Sequence, residues 1–160
     1  MPETTICTSE SGTCQTCRAA CVHKPGWFLP GEAEQVAEYL GLTLPELFET
    51  KLAVDWWDGG SDGPDIFTLS PAVVDGEPGA EFSANPCGRC VFYVDERRSI
   101  HPVKPHECRI WWCEMPVAER NVAHYATALA WTAHQAQITT LLGREPVTNS
   151  WSIFDALGRT

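Results

Sequence analysis

The chain carries eight cysteines, and they fall in two groups: Cys7, Cys14, Cys17 and Cys21 at the front, Cys87, Cys90, Cys108 and Cys113 in the middle, with none between or after. Within "CQTCRAAC", residues 14 to 21, three thiols lie close together. A C-x2-C step on a turn or at a helix end presents two sulfurs to one side. Cys21, four residues after Cys17, shares a face with it if the segment turns helically. Cys14, Cys17 and Cys21 can therefore converge locally, and closed zinc or cubane coordination then needs a fourth ligand. "CGRC" repeats the C-x2-C step at Cys87 and Cys90, and "ECRIWWC" offers Cys108 and Cys113. A metal site built from Cys14, Cys17 and Cys21 and completed from Cys87, Cys90, Cys108 or Cys113 is the expectation. Cys7, isolated in a polar stretch, is the weakest candidate.

Three uses compete for thiols this dense: disulfides, metal or cluster ligation, and a reactive redox pair. No apolar run approaches the roughly 20 residues of a membrane span. Met1 to Arg18 has no apolar stretch behind a positive start, so a secretory leader is not expected. The expected compartment is cytoplasmic, where cysteines serve more often as ligands or catalytic groups than as disulfides. The balance of 11 basic against 21 acidic residues, net −10, argues against a nucleic acid or an anionic membrane as partner. With 160 residues, 44% hydrophobic and 20% charged, residues 1–160 are expected to form one globular domain.

Local patterns predict an α+β fold, mainly helical, organised around the cysteine-ligated site. "GEAEQVAEYLGL" predicts a short helix with Glu32 and Glu34 in its first turn, Val36, Tyr39 and Leu40 on one face and Gly41 as its stop. "TLPELFETKL" predicts a second, with Thr43 as N-cap and Pro45 in the first turn. From Asp55 to Ala84 the chain is loop-rich, with turn signals in "DGGSDGPD" and "DGEPG" around "IFTLSPAVV", a possible hairpin. "CVFYVD" alternates like a strand, and the two prolines of "HPVKPHECR" predict a ligand-bearing loop rather than a helix. A long core helix is expected from Pro116 to Gly143, with Val122, Tyr125, Leu129, Ala133 and Ala136 on its apolar face. The tail, residues 144–160, carries Trp151, Ile153, Phe154 and Leu157 and has apolar surface enough to dock on the domain or on a protein partner.

Soft sulfur ligands select zinc, Cu(I) or iron–sulfur clusters over magnesium or calcium. Spacing alone leaves zinc and a cluster even. Arg18, Arg89 and Arg109 each adjoin a cysteine, where a cation would offset the charge of a thiolate site. His23, His101 and His106 lie near the cysteines and could serve as ligands or acid–base groups, which motivates an enzyme with an open-coordinated metal or cluster. Structural roles are expected for His124 and His134 on the long helix. The pairs Trp56–Trp57 and Trp111–Trp112 motivate a third reading, a structural zinc domain that presents a protein-binding surface. No nucleophilic triad, phosphate-cradling glycine loop or HExxH motif occurs, so no hydrolase or kinase is expected.

The cysteine pattern resembles that of the CxxCxxCC cysteine-cluster family (YkgJ-like) of zinc- or iron-chelating proteins. The opening motif corresponds to Cys14-x2-Cys17-x2-Ala20-Cys21, and the resemblance continues through "GEAEQVAEYLGLTLPELFETKL". It is strongest over "GRCVFYVDERRSIHPVKPHECR". The covered region is about residues 14–113, and the matched positions are Cys14, Cys17, Cys21, Cys90 and Cys108, with Cys113 a further one. The family has cysteines where this chain has Ala20 and Arg98. The resemblance thus implies a smaller metal complement, or coordination taken over by Cys87 and Cys113. It implies an iron–sulfur cluster, of the 4Fe-4S type, ahead of zinc, with a role in electron transfer, metal handling or as an accessory protein.

Overall fold

A computed structural model describes residues 25–59, 64–74, 76–82, 89–94, 97–110 and 115–147. Two short helices come first, α1 (Glu32–Leu40) and α2 (Leu44–Lys51), followed by an antiparallel hairpin of β1 (Leu52–Trp57) and β2 (Ile66–Pro71). A two-residue pair follows, β3 (Tyr93–Val94) with β4 (Arg97–Arg98), then a 3₁₀ turn at His101–Val103. Helix α3 (His106–Ile110), helix α4 (Val117–Ala130), a 3₁₀ turn at Thr132–His134 and helix α5 (Gln135–Leu142) complete the order. The fold is α+β.

The helix ends follow from local chemistry. Thr43 caps α2 by accepting from the Glu46 N–H, and Glu46 reaches back to the Thr43 N–H, a reciprocal capping box with proline in the first turn. Gly41 and Gly143 close α1 and α5 in the left-handed conformation, φ 72° and 74°, which glycine adopts without a Cβ clash.

The main core gathers Phe28, Val36, Leu47, Phe48, Leu52, Val54, Leu69, Phe92, Ile100, Trp131 and Ile138. β1 and β2 pair from Leu52↔Pro71 to Trp57↔Ile66, and neither outer edge is bare. On the β1 side, the Val54 N–H donates to the Ala80 carbonyl and the Phe82 N–H to the Val54 carbonyl. On the β2 side, the Phe28 N–H donates to the Leu69 carbonyl. The Gln135 side-chain amide then accepts from the Phe67 N–H and donates to the Phe67 carbonyl, 3.0 and 2.9 Å, as a neighbouring strand would. Unpaired edges invite pairing with other chains, and here side chain and loop occupy them.

Six sequence-based expectations are corrected. The helix expected from Pro116 to Gly143 is divided into α4, a 3₁₀ turn and α5, with Trp131 at the joint. Its expected apolar face points outward: Val122 is 71% exposed, Leu129 47% and Tyr125 43%, and Ala133 and Ala136 are exposed as well. Thr127 and Ala128 are buried instead, because α4 packs on β1 and β2 through its small residues. On α1, Val36 is buried but Tyr39 is exposed, and Ala33 and Ala37 complete the inner face. "LAVDWW", expected as helix end and loop, is strand β1, and "CVFYVD" keeps only Tyr93–Val94 as strand. In "HPVKPHECR" the prolines do not exclude helix, since Pro105 starts α3, its carbonyl accepting from the Cys108 and Arg109 N–H groups.

Past α5, Arg144 forms a two-pronged ion pair with the buried Glu81, whose carboxylate also accepts from the Val147 N–H at 2.9 Å. Burial pushes the Glu81 carboxyl up, but the hydrogen bonds from Arg144 and Val147 outweigh it, and the group is held below its ordinary value of 4.5. A carboxyl whose pKa is depressed by folding adds stability above its unfolded pKa and loses it as pH falls through the folded one. Glu81→Gln should therefore lower stability at neutral pH and flatten the stability–pH curve below about pH 4.5, measured by urea unfolding from pH 7 to pH 3. In the same assay Ile138→Ala, at a fully buried position, should lose about 2–5 kcal/mol. Val122→Ser should stay within about 0.5 kcal/mol of the parent.

Candidate functional site

Cys108 lies in the middle of the five-residue helix α3, half-buried. Its sulfur faces residue 26: a Cβ on Gly26 would stand 3.0 Å from Cys108 Sγ and 2.9 Å from Glu107 Cβ. Only a residue without a side chain lets the backbone approach α3 this closely. Gly26 is five residues downstream of Cys21, so the chain that carries "CQTCRAAC" joins the described domain beside Cys108.

Trp27 holds this junction. Its backbone N–H donates to Glu107 Oε1 at 2.7 Å, and its carbonyl accepts from the Glu107 N–H at 3.3 Å. Its indole N–H donates to Asp55 Oδ2 on β1 at 2.7 Å. Its ring stacks on the His124 imidazole of α4, centroids 3.6 Å apart. His124 Nδ1 donates in turn to Glu107 Oε2 at 2.6 Å, which sets the orientation of the ring. Trp57 approaches His124 edge-on at 5.7 Å and Tyr125 at 5.1 Å. Glu107 has no solvent exposure, Trp27 1% and Asp55 4%. Buried carboxylates must be satisfied by donors, so these contacts are required rather than incidental.

A second carboxylate supports α3 from the other side. Glu32 Oε1 accepts from the Leu29 N–H at 2.6 Å, in the turn before α1, and from the His106 N–H at 3.1 Å, at the start of α3. Glu32 Oε2 is paired with Arg109. The charge of Arg109, expected beside a thiolate, is thus directed at least in part to Glu32.

The other expected residues distribute as follows. Cys90 is 8% exposed and belongs to the main core, at an isolated bridge between its own position and Val73. His106 is half-buried at the start of α3, and the backbone of His101 lies in the 3₁₀ turn before it. His134 is exposed, with its ring edge-on to Trp131 at 6.3 Å. Arg89 contributes a backbone carbonyl to the Val74 N–H. Trp56 and Trp57 are both half-buried. Cys7, Cys14, Cys17, Cys21, Cys87, Cys113, Arg18, His23 and the pair Trp111–Trp112 lie outside the described residues. Among the described residues, no three His, Cys, Asp or Glu side chains are grouped to hold a metal ion. No helix among them is long and apolar enough to cross a membrane.

Sequence reasoning passed over Trp27, Asp55 and Glu107 and left His124 as a structural helix residue. The one local signal was Asp55, a carboxylate inside the otherwise apolar run "LAVDWW". Compared with models of known protein families, with curated proteins and with solved structures, the chain matches none.

The close approach at residue 26 has a measurable consequence. Gly26→Ala should force α3 away from the 25–28 segment and destabilise the protein by about 1–3 kcal/mol in chemical denaturation.

Proposed function

We propose that this protein binds a metal cofactor through its cysteines, that the cofactor is an iron–sulfur cluster of the 4Fe-4S type, and that its role lies in electron transfer, metal handling or service to another enzyme. The observation that carries the reading is the contact between Cys108 Sγ and residue 26. Five residues of chain span at most about 17 Å, so chain connectivity alone keeps Cys21 within that reach of residue 26, the position that Cys108 faces, although 87 positions separate the two cysteines in sequence. Three cysteines that can converge locally and a fourth brought to the root of their segment make the donor set that both cubane clusters and closed zinc sites use. The spacing shared with the CxxCxxCC family favours the cluster.

Among the described residues Cys108 is the candidate ligand at this junction, and its setting supports the reading. Cys108 is half-buried on a helix whose start is capped, and its neighbours Glu107 and Arg109 are engaged by Trp27, His124 and Glu32. A ligand on a rigid, hydrogen-bonded element keeps its geometry when the metal binds. When bound, a cluster of this kind supplies a one-electron redox couple. The chain's own contribution is to hold Cys108 on α3, where the adjacent Glu107 is fixed by Trp27 and His124.

Anaerobic purification of the full chain, with iron, zinc and acid-labile sulfide assayed beside a visible spectrum, tests the proposal. Iron with matching sulfide and a brown chromophore is the expected result, and Cys108→Ser and Cys17→Ser should each lower the iron content. Zinc without sulfide would replace the cluster by a structural zinc site. A chain that takes up neither metal, even on reconstitution, would end the metal-binding reading.

A further inference from the structure

We infer that the outward face of α4 is a self-association surface, through which two copies of this chain pack their helices side by side in opposite directions. The inference is independent of the metal reading, since it uses no cysteine. Ala118, Val122, Tyr125 and Leu129 recur at steps of four, three and four along the 14-residue helix. Steps that average about 3.5 residues draw a narrow stripe down one side of a helix, the seam along which helices pair. All four residues lie on the exposed side, with Val122 71%, Leu129 47% and Tyr125 43% open to solvent. The opposite side is already in use, through Thr127 and Ala128 against the hairpin.

The stripe complements itself. In an antiparallel pair whose two-fold axis passes at the level of Ala123 and His124, Val122 meets Tyr125 of the second copy and Ala118 meets its Leu129, so large side chains fall opposite small ones. The face is also poor in charge: Glu119 is the one charged residue among the exposed positions of α4, in a chain of net −10 with 20% charged residues. A basic partner has little there to recognise, whereas the centre of a protein interface is depleted of charge and enriched in tyrosine. Two copies of so acidic a chain repel each other, and the antiparallel arrangement sets the two Glu119 side chains about 13 Å apart along the helix axis while opposing the helix dipoles. Val122, Tyr125 and Leu129 with the exposed alanines 118, 126 and 130 offer roughly 500 Å² from each copy, about 1,000 Å² in all, the lower limit for a specific contact. Tyr125 is braced by Trp57 of β1, ring centroids 5.1 Å apart, so the side chain at the middle of the seam loses little freedom on pairing. These quantities describe a reversible dimer rather than a permanent one.

Sedimentation velocity of the full chain, in reductant so that no disulfide links two copies, tests the pairing over roughly 1 µM to 1 mM, the range in which a contact of this size dissociates. Wild type should pass from monomer to dimer with a Kd on the order of 10–100 µM. Val122→Lys and Tyr125→Glu should each raise the Kd at least about 10-fold and leave the melting temperature of the dilute, monomeric protein unchanged. Mixed in equal amounts, the two variants should pair again, because Lys at 122 of one copy then meets Glu at 125 of the other. A parallel pair would place neither charge against its opposite, so failure of the mixture to pair overturns the antiparallel seam. A wild type that stays monomeric throughout, or a dimer that both variants leave intact, overturns the proposal. A monomeric wild type whose melting temperature falls on Val122→Lys would assign the face to another part of this same chain, and overturns the pairing as well. Should a charged variant fail to fold, Val122→Ser takes its place and should weaken the dimer in the same measurement.

Discussion

The carboxylate of Glu107 is the interaction on which the arrangement depends. It has no exposure to solvent, and its two oxygens take the Trp27 backbone N–H and the His124 ring. A carboxylate taken out of water without donors is penalised far more than a lost apolar contact. Its partners are therefore obligatory, and they bind together three segments that are remote in sequence: residues 25–28, α3 and α4. From Trp27 the connection runs on to Asp55 and the hairpin, and from Phe28 to Trp131 at the joint between α4 and α5.

Two further buried carboxylates repeat this logic at a distance. Glu32 ties the start of α1 to the start of α3, and Glu81 ties the segment beside β1 to Arg144 and Val147 beyond α5. Hydrogen-bonded charges add little net stability but select one arrangement, because any alternative leaves a buried charge unpaired. Part of the excess of acidic residues is thus structural in use.

Local chemistry was legible. The N-cap at Thr43 and the stops at Gly41 and Gly143 depend on neighbours a few residues away. Periodicity was less reliable. Val122, Tyr125 and Leu129 share a helix face, yet spacing says only that a face is apolar and not that anything covers it. The covered face of α4 carries Thr127 and Ala128, small enough for close packing but invisible to a hydrophobicity pattern. β1 was hidden for a different reason: Leu52 is at once the C-cap of α2 and the first strand residue, so no turn signal separates the two elements.

The candidate site divides in the same way. Cysteine spacing, the glycine at position 26 and the proline before α3 are written in the chain, and they determine which residues have ligand chemistry and where the backbone can come close. That Cys108 faces residue 26, that Glu107 is fully buried, and that His124 turns inward to meet it were decided only by the tertiary structure. The physical reason is range: caps and turns are settled by interactions within one or two helical turns, whereas the burial of a charge is settled by which distant donors the whole fold can bring to it.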